Sequence, residues 1–375
     1  MIKFERLMVN LNWDKKWDNR LEMDEKRSSL ATNFRTVENI SYHDENVNIE
    51  ESNYKFWENI LFWGDNLPVL VYLMKIYAEK IDLIYIDPPF FTGENFYIDI
   101  SKQGRQYDSV AYYDHWDKNL DNYLQMLYER ILLFKSLLSK KGLLFVHLDW
   151  HIVHYVKLIL DEVFGRDRFI NNIVWYYYNK YSAGKKNLPR AHDDILVYSK
   201  TNDYTFNEIR IPREKPRKQL KRRMVNGVLK NVKDKQGHVI YRIVTDKKLD
   251  DVWKIPCLQP ASKQWTGFPN QKHHKLINRI IRLGSNKGDL IADFFCGSGT
   301  TLLTAEKLER RWIGCDISEY AIYLTRKRLL SLYKKKKEKQ TSFHGFQLKT
   351  IIDTSKEQLI NSNFFNEDLK IKRKK

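Results

Sequence analysis

From about residue 59 onward, short apolar runs alternate with longer stretches of helical spacing, a pattern that predicts a parallel sheet covered by helices. Residues 60–63 read as a strand ending at Gly64-Asp65-Asn66, 67–80 as a helix, and 81–86 as a buried strand running into Asp87-Pro88-Pro89-Phe90. Over 122–139 the apolar positions Leu124, Leu127, Ile131, Leu132, Phe134 and Leu138 keep helical period, and a strand over 143–148 and a helix over 152–164 follow. Strands at 173–178 and 195–198 flank a polar loop and suit a hairpin at the sheet edge. From Gly267 the alternation returns: helix 275–283, strand 289–295, helix 300–308, strand 312–317, helix 319–332.

Two patterned blocks, 56–199 and 263–333, are therefore separated by a different stretch, 200–262. Residues 1–55 are charged and weakly periodic, with Trp13 and Trp17 scattered in them, and predict an irregular extension; 334–375 reads as a basic tail, with runs at 334–337 and 372–375. Between Arg210 and Lys248 there are fourteen Lys or Arg against three acidic residues, Glu214, Asp234 and Asp246. Such a stretch can be a merely solvated loop, but basic residues interleaved with Val239, Tyr241 and Ile243 between two halves of a domain suit docking on phosphates and reading bases.

Composition agrees with that reading. The 375 residues are 42% hydrophobic, enough for a large core, and 65 Lys and Arg against 47 Asp and Glu give a formal charge of +18. An excess of that size points to a polyanion, with nucleic acid favoured over a membrane, since no apolar run approaches the ~20 residues of a bilayer span. The start lacks the apolar stretch of a secretion signal, so a cytoplasmic location is expected. Cys257, Cys296 and Cys315 lack metal-ligand spacing and read as reduced thiols, with no zinc and no disulfide.

Candidate chemistry sits at two strand ends. The segment Asp293-Phe294-Phe295-Cys296-Gly297-Ser298-Gly299-Thr300-Thr301 puts two glycines between a buried strand and a helix, where the backbone can approach a ligand and the helix N-terminus offers free N–H groups. About twenty residues on, Asp316 ends the next strand, where a carboxylate can accept both hydroxyls of a ribose. The pattern is D-x-x-x-G-x-G rather than the three-glycine dinucleotide fingerprint, which argues against a nicotinamide or flavin enzyme. Asp87-Pro88-Pro89-Phe90 could simply terminate a strand. Rigid prolines there would also fix a carboxylate, a carbonyl and an aromatic ring in one small volume, an arrangement suited to an amino-bearing aromatic ring.

Taken together, these motifs resemble the amino-group DNA methyltransferases of the beta arrangement, in which a D-P-P-[YF] catalytic half precedes a target-recognition region and the cofactor half comes last. Residues 81–93 fit the catalytic motif, and Val146-His147-Leu148-Asp149 with the helix to Phe164-Gly165 fits the central segment. Gly267-Phe268-Pro269-Asn270-Gln271-Lys272 resembles the G-Y-P-T-Q-K-P element, and 288–318 fits the cofactor loop. Phe294 departs from the usual proline, and Asn270, His273 and His274 depart from the residues usual around Gln271-Lys272; the histidine pair reads as helix surface rather than ligand.

The resemblance implies a permuted Rossmann-like α/β fold with an inserted target-recognition region at 200–262, 56–199 being the catalytic half and 263–333 the cofactor half. The C-terminal block would supply the first two strands of the cofactor half, 60–63 the third and 81–86 the fourth. S-adenosylmethionine is the implied cofactor, held by Asp65, Lys272, Asp293, Phe295, Gly297, Ser298, Gly299, Thr300 and Asp316, with no metal. Asp87, Pro88, Pro89 and Phe90 are the implied catalytic residues, the flipped base stacking on Phe90. Arg213, Arg217, Lys218, Lys221, Arg222 and Arg223 are the expected contacts to double-stranded DNA. Tyr97, Tyr107, Tyr112, Tyr113 and Trp116 suit either a loop over the base or core packing. Because the motif begins with Asp, N6 of adenine is the expected target and N4 of cytosine the rival. A modification subunit of a restriction complex, a structured-RNA enzyme and a non-catalytic nucleic-acid-binding protein are the other readings. The length favours a stand-alone or Type II enzyme, monomeric or homodimeric, with a partner restriction endonuclease left open.

Overall fold

In the computed structural model the strand ends that carry these motifs lie side by side. The structure describes residues 11–13, 16, 33–40, 59–102, 105–112, 114, 116, 119–180, 186–339, 341 and 344–351. Trp17, Tyr113 and the basic run at 372–375 lie outside the described residues, as does the side chain of Tyr107.

The elements in chain order are β1 (Phe34–Ile40), β2 (Asn59–Trp63), α1 (Asn66–Tyr77), β3 (Ile81–Ile86), β4 (Phe96–Lys102), β5 (Arg105–Tyr112), α2 (Leu120–Leu137), β6 (Leu138–Leu148) and α3 (Val153–Phe164). There follow β7 (Phe169–Tyr176), β8 (His192–Ser199), β9 (Arg210–Leu220), β10 (Arg222–Val225), β11 (Val228–Asn231), β12 (Tyr241–Lys248) and β13 (Val252–Lys254). The chain then runs through α4 (His274–Gly284), β14 (Leu290–Asp293), α5 (Thr300–Lys307), β15 (Arg311–Asp316), α6 (Glu319–Glu338) and β16 (Phe346–Ile351).

Ten strands form one sheet in the order β1-β16-β2-β15-β14-β3-β6-β8-β7-β13. From β16 to β6 neighbouring strands are parallel; β8 is antiparallel to both β6 and β7, and β1 is antiparallel to β16. The strand order matches the permutation: β14 and β15 are the first two strands, β2 lies beyond β15 as the third, and β3 flanks β14 on the other side as the fourth. Alternation along β3 explains why both faces need cover. Ile84 and Ile86 join one buried cluster with α1, α2 and α3, while Leu83 and Tyr85 join a second with α4, α5 and α6. Each fully buried Leu or Ile contributes roughly 1.5–3 kcal/mol of transfer free energy, so the two-sided sandwich fixes the strand register.

Three features differ from the hydrophobic pattern's prediction. The β7–β8 pair is not at the sheet edge, because β13 pairs in parallel outside β7; three residues are too few to give a periodic signal. β1 and β16 extend the opposite edge, from a stretch predicted to be an irregular extension and one read as a basic tail. His273 is buried and caps α4, its Nδ1 accepting from the Lys275 amide at 3.0 Å, instead of lying on the helix surface. Burial, then the charges of His274 and Lys275, lowers its pKa to about 4, which keeps the capping nitrogen unprotonated.

The basic stretch stands apart from the main sheet. β9 pairs with β12, and β10 with β11 through Asn226 and Gly227, both at positive φ as a two-residue hairpin turn requires. Among the described residues no helix is long and apolar enough to cross a membrane.

Candidate active site

The parallel strands β14, β15, β2, β3 and β6 share one carboxyl-end edge, where an open α/β sheet binds its ligands. A cavity of about 310 Å³ opens there, lined by Asp87, Pro88, Pro89 and Phe90 on one side and by Asp293, Phe295, Gly297, Ser298, Thr300 and Asp316 on the other. Asp65 and Lys272 also line it. One cavity thus joins residues that the sequence separates by some two hundred positions.

The loop after β3 is held from several sides. Tyr123, buried on α2, donates its hydroxyl to the Pro89 carbonyl at 2.7 Å. Asp114, fully buried, accepts from the Phe91 amide (2.8 Å), the Thr92 amide (2.9 Å) and the Thr92 hydroxyl (2.7 Å). Those bonds hold Phe91 at φ 59°, a conformation that side chains with a Cβ seldom adopt. Asp87 is consequently set at the cavity wall. Its Oδ2 pairs with Lys272 Nζ at 2.6 Å, while its Oδ1 is buried without a hydrogen-bond partner. Lys272 Nζ also lies 5.1 Å from the centre of the Phe90 ring and 3.4 Å from the Asn270 carbonyl.

On the other side, Gly297 (φ 50°) and Gly299 (φ 75°) shape the turn between β14 and α5. The Gly297 amide donates to Asp316 Oδ2 at 2.8 Å and the Ser318 amide to Oδ1 at 2.9 Å. Burial pushes the Asp316 carboxyl up to about 6, against the pull of those amide bonds. Asp293 is more deeply buried. Desolvation pushes it up to about 7, helped by the charges of Asp87 and Asp316, although the Thr301 side chain and the Phe295 amide donate to it. Gly299 does not line the cavity. It starts α5 in the left-handed conformation against Thr325, whose hydroxyl donates to the Gly297 carbonyl at 2.9 Å.

Asp65 caps α1 through the Leu67 amide and pairs with Arg130 at 2.9 Å. Arg130 in turn donates to Asn66 at 2.6 Å, and Asn66 to the Phe294 carbonyl at 2.8 Å. Of the aromatic residues considered as a cover, Tyr112 and Trp116 line the cavity, with Asn270 donating to the Tyr112 hydroxyl at 2.6 Å, whereas Tyr97 is exposed. None of Arg213, Arg217, Lys218, Lys221, Arg222 and Arg223 lines it. They lie on and between β9 and β10, Arg213 half-buried with a bond to the Asp246 carbonyl and the other five exposed.

Sequence reasoning singled out neither Arg130, Asp114 nor Asp193, and gave His147 only as part of the central segment; His147 and Asp193 form a buried pair beside Asp87. A signal existed for two of them: Arg130 interrupts the apolar face of α2, and His147 interrupts the apolar run that ends β6.

Residues 81–327 match the N6/N4 methyltransferase family model described as DNA methylase. The chain is 29% identical over 324 residues to the Type II methyltransferase M.EcaI of Enterobacter cloacae, covering 72% of this chain and 69% of that one. It is also 29% identical over 261 residues to the DNA adenine methyltransferase YhdJ of Escherichia coli strain K12, covering 69% of this chain and 80% of that one. Among solved structures, the PvuII DNA methyltransferase, cytosine-N4-specific, aligns with a TM-score of 0.49 at 16% identity, covering 84% of this chain and 94% of that chain.

Proposed function

Since the chain belongs to the DNA methylase family of N6 and N4 methyltransferases, we propose that it transfers a methyl group from S-adenosylmethionine to N6 of adenine in double-stranded DNA. The observation that carries this reading is the buried, unpartnered Oδ1 of Asp87 in a cavity shared with Asp316. An acceptor left unpaired at a cavity wall is costly unless a donor arrives, and an exocyclic amino group is such a donor.

The cavity also fits the cofactor. Asp316 and Asp65 offer carboxylates for ribose and adenine, and the turn at Gly297 leaves backbone exposed for close approach. S-adenosylmethionine would supply an electrophilic methyl group. The chain's own residues do the rest: Phe90 stacks on the flipped base, Pro88 and Pro89 keep the loop rigid, and Asp87 accepts an amino proton, orienting the nitrogen lone pair and stabilising its developing positive charge. Lys272 keeps the other carboxylate oxygen engaged, which leaves Oδ1 as the oxygen without a partner.

Adenine is preferred because the motif opens with Asp87. The exposed basic residues of β9 and β10 serve as phosphate contacts, and the enzyme works in the cytoplasm as a monomer or homodimer, beside a restriction endonuclease where one is encoded. The test is to incubate the protein and Asp87→Ala with labelled S-adenosylmethionine and mixed-sequence duplex DNA, then identify the methylated nucleoside. N6-methyladenine from wild type alone is the expected result; N4-methylcytosine would change the base and keep the site. No transfer to DNA despite cofactor binding would overturn the reading.

A further inference from the structure

His147 is fully buried in β6, edge-on to Trp175 at 5.3 Å and tilted against Phe90 at 5.9 Å. Its Nδ1 lies 2.9 Å from the Tyr85 hydroxyl and 3.9 Å from Asp87 Oδ1, the oxygen that has no partner. Its Nε2 lies 3.2 Å from Asp193 Oδ2, and Tyr177 donates to Asp193 Oδ1 at 3.0 Å. With the ring neutral, these contacts are met by a proton on Nε2 and a lone pair on Nδ1. Burial would raise the Asp193 carboxyl, but the hydrogen bond and charge of His147, the charge of Lys272 and the Tyr177 bond outweigh it and lower the net value, so Asp193 is an anion and the acceptor of this pair. Burial, with the charges of Asp87, Asp293 and Asp193, holds the Tyr85 phenol well above its ordinary value, so its hydroxyl stays protonated and can donate to a neutral Nδ1.

We propose that His147, held by Asp193, takes up the proton that the methylated amino group releases through Asp87. The inference rests on the functional reading above. Methyl transfer forms one N–C bond and breaks one C–S bond, whose electron pair stays on sulfur; the nitrogen is left with a positive charge and must lose one of its N–H protons. Asp87, at the cavity wall, is the carboxylate placed to accept it. From a buried oxygen the proton has few exits: Lys272 is a donor and engages Oδ2, and Oδ1 itself faces no solvent. Once the Tyr85 hydroxyl turns aside, the Nδ1 lone pair receives the proton, Asp87 recovers its negative charge, and the imidazolium sits between the carboxylates of Asp87 and Asp193. It resets once the product has left, when the proton returns through Asp87, whose side chain is 19% exposed, to water. A base oriented by a buried carboxylate is the logic of the acyl-transfer triad, applied here to a proton leaving nitrogen.

The charged and titratable groups facing the ring are Asp87 and Tyr85 from β3, Asp193 from β8 with Tyr177 behind it, and Lys272 from the segment before α4. Asp149 and Asp293 act from farther away on Tyr177 and Tyr85. All except the substituted residue stay in place in the variants below, so a displaced pH profile reports the His147–Asp193 couple.

The test is single-turnover methyl transfer as a function of pH, on duplex DNA that the wild type methylates, for wild type, His147→Gln and Asp193→Asn. Cofactor and DNA dissociation constants are measured alongside, together with ¹⁵N-histidine spectra of the protein free of cofactor. His147→Gln is expected to lower the plateau rate by roughly 100-fold, the scale of a lost general base, and to move the acid limb to lower pH with both dissociation constants unchanged. Asp193→Asn should move the limb the same way and mix the ring tautomers that wild type holds as Nε2–H. An active His147→Gln whose profile is scaled but not displaced would overturn the proposal, as would an Nδ1–H tautomer in wild type. If His147→Gln does not fold, the isosteric Asp193→Asn decides. A wild type that methylates no DNA would overturn the functional reading, and the tautomer would still decide whether this pair is built as an acceptor.

Discussion

Lys272 sets its ammonium 2.6 Å from Oδ2 of Asp87, joining the segment before α4 to the end of β3 at the point where the base amino group is to be held. With the lysine side chain only 9% exposed, the pair is shielded from water, and removing one partner strands a charge. Lys272→Met keeps the aliphatic stem against Phe90 and deletes the ammonium. It is expected to cost about 1–3 kcal/mol of stability and to slow methyl transfer by roughly 10–100-fold through the loss of Asp87 orientation. Chemical denaturation and single-turnover rates check the two effects separately.

Asp114 tests whether the loop itself must be held. Asp114→Ala leaves the Phe91 amide, Thr92 amide and Thr92 hydroxyl without their acceptor and frees Phe91 from φ 59°. Because Asp87 and Phe90 would then sample other positions, kcat should fall by at least about tenfold while the cofactor dissociation constant stays near that of wild type. Asp114→Asn, which keeps one acceptor, should recover part of the loss. Equal losses in both variants would mean that the loop does not depend on these bonds.

Local chemistry was legible in the sequence and tertiary partnership was not. The Asp-Pro-Pro-Phe run and the glycine turn announce themselves because proline and glycine restrict or free the backbone wherever they occur. The permuted strand order followed from counting strands, and the sheet bears it out. Lys272 meets Asp87, and Arg130 meets Asp65, only because packing brings distant segments together, and no spacing rule encodes that. β16 carries a periodic signal of its own: Phe346, Leu348 and Thr350 alternate with less buried residues, but six residues beside a lysine-rich helix look like tail. β1 is harder to read, since Phe34–Ile40 is half-buried at the sheet edge and its alternation is broken by a bulge.

The buried Asp293 predicts a pH-dependent stability. Its carboxyl is raised from 3.8 to about 7, so the folded protein holds a proton that the unfolded chain has released. That contribution to stability is fully present below the unfolded value and is lost as pH rises from 3.8 to about 7. Asp293→Asn carries no charge to bury and can still accept from the Phe295 amide. It should therefore be more stable than wild type by on the order of 2–4 kcal/mol at about pH 8, the gap narrowing as pH falls. Thermal unfolding across that range, without cofactor, is the measurement; a gap that widens toward acid would refute the assignment.

Gly299 is needed for space as well as conformation. A Cβ there would lie 2.6 Å from both Cγ2 and Oγ1 of Thr325, at φ 75°. Gly299→Ala should cost about 2–4 kcal/mol, combining the left-handed penalty with overpacking. Replacing Thr325 by Ala as well removes the two 2.6 Å contacts but leaves its Cβ at 2.9 Å and forfeits the bond to the Gly297 carbonyl, so the double variant is expected to recover only part of the loss in a thermal melt.

The basic β9–β12 unit makes a prediction about salt. Lys218, Lys221, Arg222 and Arg223 are exposed and none of them lines the cavity, so replacing all four by Ala should leave the cofactor dissociation constant unchanged. If they neutralise phosphates, DNA affinity should fall at every ionic strength. The slope of log K against log salt should also become shallower by about 0.9 for each phosphate no longer neutralised. Lys218 separates two effects, because its ammonium also lies 4.8 Å from the centre of the Tyr241 ring. Lys218→Ala alone would lose both the charge and that packing, whereas Lys218→Arg keeps a cation over the ring and should preserve both slope and affinity. Fluorescence anisotropy with labelled duplex over a salt series reads all of these; an unchanged slope in the fourfold variant would assign DNA docking to another surface.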